Sequence, residues 1–257
     1  MTEKTKLKSQ VIRKPTVSIV TTAWNEDQNL RPLVVQVCDV FDDVEFELEM
    51  IVVDNGSVDR TLEIVKEIGS GDPRIKYLSL SRNFGHQGGL IAGMEMATGD
   101  AIITIDCDLQ HPPEMIPKLI DKWQEGYEVV NTTREFSPDV GAARKCSGAL
   151  FYWIVSRLSG IPLNESQSDF RLLDRKAADA MLSLPEGEKF IRGLSHWIGY
   201  KHISIAYRPG ERFAGESKFN FPQLFNLAVN GVTSFSIIPL RTYVIFGVVL
   251  ATACIIY

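Results

Sequence analysis

Cysteine is scarce in this chain, and none of it is paired by spacing. Cys38, Cys107, Cys146 and Cys254 are scattered over 257 residues with no Cys-x-x-Cys. That argues against a disulfide framework or a cysteine zinc site and fits a reducing, cytoplasmic setting. A basic excess is also missing. Lys+Arg total 27 against 32 Asp+Glu, a formal charge of −5, so no wholesale nucleic-acid binding is expected. Internal repeats and low-complexity segments are absent. The N-terminal stretch carries Lys4, Lys6, Lys8, Arg13 and Lys14 but no apolar run, so it does not read as a signal peptide. What remains is a globular composition, 45% hydrophobic and 23% charged, with enough apolar side chain to bury a sizeable core.

The charge is unevenly placed. Between Lys189 and Arg241 there are seven Lys/Arg and two acids, a local +5. An uncharged run, Tyr243–Tyr257, follows it directly. Fifteen residues at ~1.5 Å rise cover about 22 Å, short of a ~30 Å hydrocarbon core. A buried C-terminal helix would give this pattern. The start of a transmembrane helix gives it too, and basic residues just before it would set the preceding chain on the cytoplasmic side.

Strand-like and helix-like stretches alternate in the first half. Val17–Thr22, Glu49–Val53, Ile75–Leu80 and Ala101–Ile105 are short, apolar and rich in β-branched residues. Helical patterns lie between them, near Asn29–Val40, Arg60–Ile68 and Gln87–Ala97. This spacing predicts βαβ units, hence an α/β fold with a mostly parallel sheet covered by helices on both faces. Further helices are expected over Glu114–Gln124, after Pro112-Pro113, and over Arg144–Leu158, with a strand over Tyr127–Asn131. Phe221–Leu240 reads as interfacial amphipathic helices, or equally as a core helix.

Ligands of such sheets bind beyond the carboxyl ends of the strands. Polar clusters stand at three of those ends: Trp24-Asn25-Glu26, Asp54-Asn55-Gly56-Ser57 and Asp106-Cys107-Asp108. Two carboxylates one residue apart at a strand end can share a hard divalent cation with substrate phosphates. A phosphatase with an aspartyl nucleophile also uses Asp-x-Asp, but usually after the first strand and followed closely by Thr or Val. Here Leu109-Gln110 follows the fourth. A dinucleotide-binding enzyme needs Gly-x-Gly-x-x-Gly after the first strand, where Thr22-Ala23-Trp24 stands instead.

Together these stretches resemble family 2 glycosyltransferases of the GT-A fold, and within them the polyprenyl-phosphate glycosyltransferases. The resemblance rests on residues 18–26 (SIVTTAWNE), 53–59 (VDNGSVD), 81–87 (SRNFGHQ), 106–114 (DCDLQHPPE), 168–175 (SDFRLLDR) and 212–218 (RFAGESK). The pieces run in family order over Val17 to Arg241. The resemblance implies that Thr22, Trp24 and Glu26 flank base and ribose, with Asp54 and Asn55 nearby. Trp24 replaces the family's usual Tyr, and Asn55 an Asp that accepts from the base. Asp106 and Asp108 would hold Mg²⁺ or Mn²⁺ against the diphosphate, assisted by Gln110. Arg134, Arg212 and Lys218 would contact phosphate, with Arg192 and Arg208 as lesser candidates for the lipid phosphate. Asp169 would stand by the reacting sugar, positioning it or moving a proton. His86, His111, His196 and His202 lack metal-ligand spacing and read as structural.

The expected organisation is a basic tail over 1–14, a GT-A catalytic domain over 15–220, interfacial helices over 221–240 and the start of a transmembrane helix over 241–257. The expected activity is inverting transfer of a hexose or amino-hexose to polyprenyl phosphate at the cytoplasmic membrane face. A UDP-sugar is the favoured donor and GDP-mannose the other. A lipid-linked saccharide or protein acceptor, a catalytically silent membrane scaffold and a homo-oligomer all stay open.

Overall fold

The computed structural model describes residues 14–135, 157, 166–186, 189–210 and 238–257. Strands β1 (Thr16–Ala23), β2 (Glu47–Asp54), β3 (Ile75–Ser79) and β4 (Ala101–Thr104) alternate with helices α1 (Leu30–Asp42), α2 (Thr61–Gly71) and α3 (Gly85–Met96). Then come a 3-10 turn at Pro113–Met115, α4 (Ile116–Gln124), β5 (Val129–Arg134), β6 (Gln167–Asp174), α5 (Arg175–Leu182), α6 (Ile191–Trp197), β7 (His202–Tyr207) and α7 (Ile238–Ile256). The seven strands form one sheet in the order β3-β2-β1-β4-β6-β5-β7.

β1 is buried at all eight positions, as a strand covered on both faces must be, with Thr16, Ser18, Thr21 and Thr22 buried beside its apolar residues. Alternation along the strands then sorts side chains into two cores. Ile19, Met50, Val52, Ile103 and Leu172 pack with Leu33 and Val37 of α1 and Leu119 of α4. Val20, Ile51, Val53, Ile102 and Leu173 face the other way, onto Leu90 and Met94 of α3, Met181 of α5 and Leu194 of α6. α3 lies close on the sheet because it presents glycine there. A Cβ on Gly93 would stand 2.5 Å from Val20 Cγ1, and one on Gly89 would stand 2.2 Å from Thr22 Oγ1.

The parallel expectation holds for β1 with β2 and β4, for β2 with β3 and for β5 with β7. It fails at β6, which runs antiparallel to both β4 and β5. The hydropathy pattern predicts neither β6 nor β7 as a strand. β6 carries Asp169 and Arg171 at buried positions, so its polarity hides its burial.

The exposed α7 bears Tyr243, Phe246 and Val249 on its surface. Among the described residues no helix is long and apolar enough to cross a membrane; the transmembrane expectation is met only by an exposed apolar helix. Most of the predicted helices Arg144–Leu158 and Phe221–Leu240 lie outside the described residues, as do Arg212 and Lys218.

At the amino end of the sheet, opposite the candidate site, Glu49 is buried and takes bonds from Ser18 Oγ (2.5 Å), Lys76 Nζ (2.6 Å), Thr98 N (2.7 Å) and Thr98 Oγ1 (2.7 Å). Burial works against its ionisation, but these donors outweigh it and bring its pKa from 4.5 down to about 2. A depressed carboxylate adds stability above its unfolded pKa and loses it as pH falls through the folded one. Urea unfolding of the whole chain should therefore show stability declining between about pH 4.5 and 2. Glu49→Gln should lower stability at pH 7 and flatten that decline; an unchanged slope would remove Glu49 from the acid response.

Candidate active site

The carboxyl ends of β1, β2 and β4 point one way, and the loops after β1 and β2 are laced together. Asn25 N donates to Ser57 Oγ (3.1 Å), and Val58 N to Asn25 Oδ1 (2.9 Å). Glu26 N donates to Thr61 Oγ1 (2.9 Å), and Asp27 N to Asp59 Oδ2 (3.3 Å). Asn25 and Leu109 hold φ of 55° and 61°. Left-handed backbone in a residue other than glycine is costly and persists only where surrounding contacts enforce it. Both lie just beyond strand ends, in the loops that frame the site.

Two groups of predicted residues separate here. Those near the base end are occupied internally. Asp54 is buried, with Oδ1 accepting from Ser57 N (3.1 Å) and Oδ2 from Ser79 Oγ (3.0 Å). Asn55 is buried and bonded at both ends of its amide, to Phe84 N and Gly85 O (2.9 Å each). Thr22 is buried against α3. Glu26 accepts from Asn29 Nδ2 at 2.6 Å. Trp24 is the exposed member, at 39%, and can present its indole face to a base.

The second group converges on a charge cluster. Asp106, just past β4, has His86 Nε2 3.2 Å from Oδ1, His111 Nε2 3.5 Å from Oδ2 and the Arg134 guanidinium 3.9 Å away. Burial disfavours its ionisation, but the facing imidazoles outweigh that and hold the carboxyl below its usual range. His111 is fully buried, and burial lowers its pKa. Its Nδ1 accepts from Asp106 N (3.1 Å), and its Nε2 lies 2.7 Å from Ser168 Oγ and 3.1 Å from Arg134 Nη2. Tyr207 also donates to Ser168 Oγ (3.2 Å), and Arg134 Nε donates to Tyr207 (3.0 Å). One network thereby fixes Arg134 beside Asp106.

Asp169, on β6, is clamped from two sides. Arg192 donates to both its oxygens at 2.9 and 2.8 Å, and Arg171 to Oδ1 at 3.1 Å. Burial opposes the charge, but Arg192 and Arg171, with His86, drive the carboxyl far below the usual range. A carboxylate held so is a weak proton acceptor.

His86 and His111 are site members that the sequence pattern does not reveal. Each lies inside a motif stretch, but a lone histidine without a partner at fixed spacing gives no signal of its own. Among the described residues, no three His, Cys, Asp or Glu converge as a ready cation cage. Asp106 Oδ1 is nevertheless buried without a directed hydrogen bond, and Asp108 follows two residues on, its Oδ1 accepting from Gln110 N (3.1 Å). These oxygens fit a cation that takes its other ligands from a diphosphate and water.

Residues 18–180 match the model of Glycosyl transferase family 2. The chain belongs to that family. It is 37% identical over 242 residues to the prophage bactoprenol glucosyl transferase homolog of Escherichia coli, covering 94% of this chain and 79% of that one. It is 39% identical over 240 residues to the glycosyltransferase YkcC of Bacillus subtilis, covering 93% and 74%. Glucosyl-3-phosphoglycerate synthase from Mycobacterium tuberculosis, solved with Mn²⁺, UDP and phosphoglyceric acid, matches with a TM-score of 0.60 at 19% identity, covering 85% and 76%. That likeness identifies the fold as GT-A, and the mixed sheet with its family 2 motifs at the strand ends agrees with it.

Arg171 carries the sharpest energetic consequence. It is fully buried, and burial lowers its pKa to about 10 against the pull of Asp169, so it stays charged at neutral pH. Arg171→Met should destabilise the fold by about 3 kcal/mol or more, the scale of stripping one partner from a buried ion pair. Urea unfolding at pH 7 checks this; a loss under about 1 kcal/mol would mean that Arg192 alone sustains Asp169.

Proposed function

We propose that this family 2 glycosyltransferase moves a hexose or amino-hexose, glucose foremost, from a UDP-sugar to polyprenyl phosphate, with GDP-mannose the second donor to test. The observation that carries the reading is the cluster beyond β4 and β6: a strand-end Asp106 beside Arg134, and a carboxylate-clamped Arg192 on the facing side. Two cationic groups flanking an acidic pair suit a reaction in which one phosphate leaves and another attacks. The names of the bactoprenol relatives support the acceptor class.

In this reading an oxygen of the lipid phosphate attacks the anomeric carbon opposite the leaving group. The bond from that carbon to the nucleoside diphosphate breaks, and the diphosphate departs with the electron pair. Inversion gives a β-linked lipid-phosphate sugar. The attacking oxygen is already anionic at neutral pH, so no strong base is required, which accords with an Asp169 committed to arginines. Arg134 and Arg192 would orient phosphate, and Arg212 and Lys218, outside the described residues, would join them. Asp106 and Asp108, with Gln110, would hold Mg²⁺ or Mn²⁺, which when bound supplies charge neutralisation at the leaving diphosphate.

Transfer of labelled glucose from UDP-glucose to undecaprenyl phosphate tests the reading directly. Asp108→Asn should lower turnover by on the order of 10²-fold, the scale of losing one transition-state charge stabiliser. EDTA should abolish activity, and Mg²⁺ or Mn²⁺ restore it. Full activity in EDTA would overturn the metal assignment, and label passing only to water or to a saccharide would overturn the acceptor.

The reading also puts α7 at a bilayer, where its exposed apolar side chains would be covered, with the catalytic residues on the cytoplasmic side. The chain should then co-sediment with phosphatidylglycerol vesicles and keep a salt-resistant bound fraction. Deletion of 238–257 should leave only salt-sensitive binding, since exposed ionic attractions are screened over ~8 Å at physiological ionic strength. A deletion variant that still bound in high salt would place the anchor elsewhere.

A further inference from the structure

We propose that Asn55 is a positioning residue for sugar transfer, acting through the loop between β3 and α3 and not by contact with the nucleobase. The inference rests on the glycosyltransferase reading above, and it concerns how that site is assembled. Asn55 stands directly after β2 and is 2% exposed. Its Oδ1 accepts from Phe84 N at 2.9 Å, and its Nδ2 donates to Gly85 O at 2.9 Å. One backbone partner needs an acceptor and the other a donor, so the orientation of the carboxamide is settled by its neighbours. An aspartate in the same place would turn a carboxylate oxygen toward the Gly85 carbonyl, with no proton between them. Asparagine is the side chain that satisfies both partners.

The loop it grips is fastened at further points. Gly56 (φ +70°) lies so close beneath the loop that a Cβ there would stand 2.5 Å from the Arg82 carbonyl carbon. Leu80 N donates to Asp54 O (2.9 Å), and Gly85 N to Asn83 Oδ1 (2.7 Å). Gly85, at φ +80°, opens α3. The next two residues are those that reach the transfer site. His86 Nε2 lies 3.2 Å from Asp106 and 3.6 Å from Asp169. Gln87 Nε2 donates to Asp169 Oδ2 (3.4 Å), while its Oε1 accepts from Ile191 N (3.2 Å) at the start of α6, the helix that carries Arg192. A displacement at residues 84–85 therefore shifts His86, Gln87 and the support of Arg192 together. A shift on the order of 1 Å at reacting groups costs about 10²-fold in rate.

The test uses the full chain, with Asn55→Asp and the exposed loop variant Asn83→Ala as its two arms. Asn55→Asp should lower kcat for transfer from UDP-glucose to undecaprenyl phosphate by about 10²-fold, and Asn83→Ala by about tenfold. UDP affinity, titrated with Mn²⁺, should change less than about twofold in either variant, because the nucleobase is not what these side chains hold. Hydrogen exchange at the Phe84 amide should quicken in Asn55→Asp, while β1 and β4 keep their protection. This exchange readout stands whether or not the wild-type chain transfers sugar, so failure of the functional reading and failure of the clamp are separable. Unchanged Phe84 exchange, or a tenfold change in UDP affinity with kcat intact, would overturn the proposal. If Asn55→Asp does not fold, the kcat and exchange results for Asn83→Ala decide.

Discussion

A guanidinium shut away from water dominates the architecture of this site. Arg171 is the largest fully buried side chain of the described residues, and a bare charge there would be untenable. It is made tolerable by bonds to Ile191 O (3.1 Å), Ser195 Oγ (3.2 Å), Ser168 O (2.7 Å) and Asp169 Oδ1 (3.1 Å). Those partners belong to β6 and α6, so satisfying one charge fixes how the antiparallel strand meets the helix beside it. Asp169 then needs a second cation to fill its remaining oxygen, and Arg192 supplies it. The site's geometry follows from an internal charge that must be neutralised.

That constraint also bears on chemistry. A general base needs a carboxylate whose proton affinity is near the working pH. Asp169 sits among two arginines and a histidine, the opposite environment. An acceptor that arrives ionised asks nothing of such a group except orientation. In the proposed reaction the electrostatics and a phosphate acceptor suit one another, whereas a hydroxyl acceptor would need a base, for which Asp169 is poorly placed.

Much of the fold is legible in the amino-acid sequence. β1 to β4 follow from short β-branched runs, and α1 and α2 from the amphipathic stretches between them. The acidic pair Asp106-Cys107-Asp108 is legible as well, from its place after a strand. β6 is not, because its buried positions hold Asp169 and Arg171, and their partners are far away in sequence. His86 escapes notice for the same reason: it acquires meaning from Asp106, which only the fold brings to it. Asp54 and Asn55 present the reverse case. Their residue types point outward to a ligand, while their contacts point inward to loops.

That contrast has a physical side. A polar side chain beside a binding cleft either faces the ligand or holds the loop that does, and its hydrogen-bonding capacity separates the two. Asp54 accepts from Ser57 and Ser79, and Asn55 holds two backbone groups of the neighbouring loop. Breaking either set to greet a nucleotide would leave buried groups unpaired, at about 1–3 kcal/mol each. Asp106 differs, because Oδ1 is buried without a directed bond. Its Oδ1 meets the His86 imidazole at 3.2 Å, outside hydrogen-bond geometry, a contact that a bound substrate complex would have to replace. These contacts support the proposal that the loops after β1 and β2 hold the frame while transfer chemistry centres on Asp106 and Asp169.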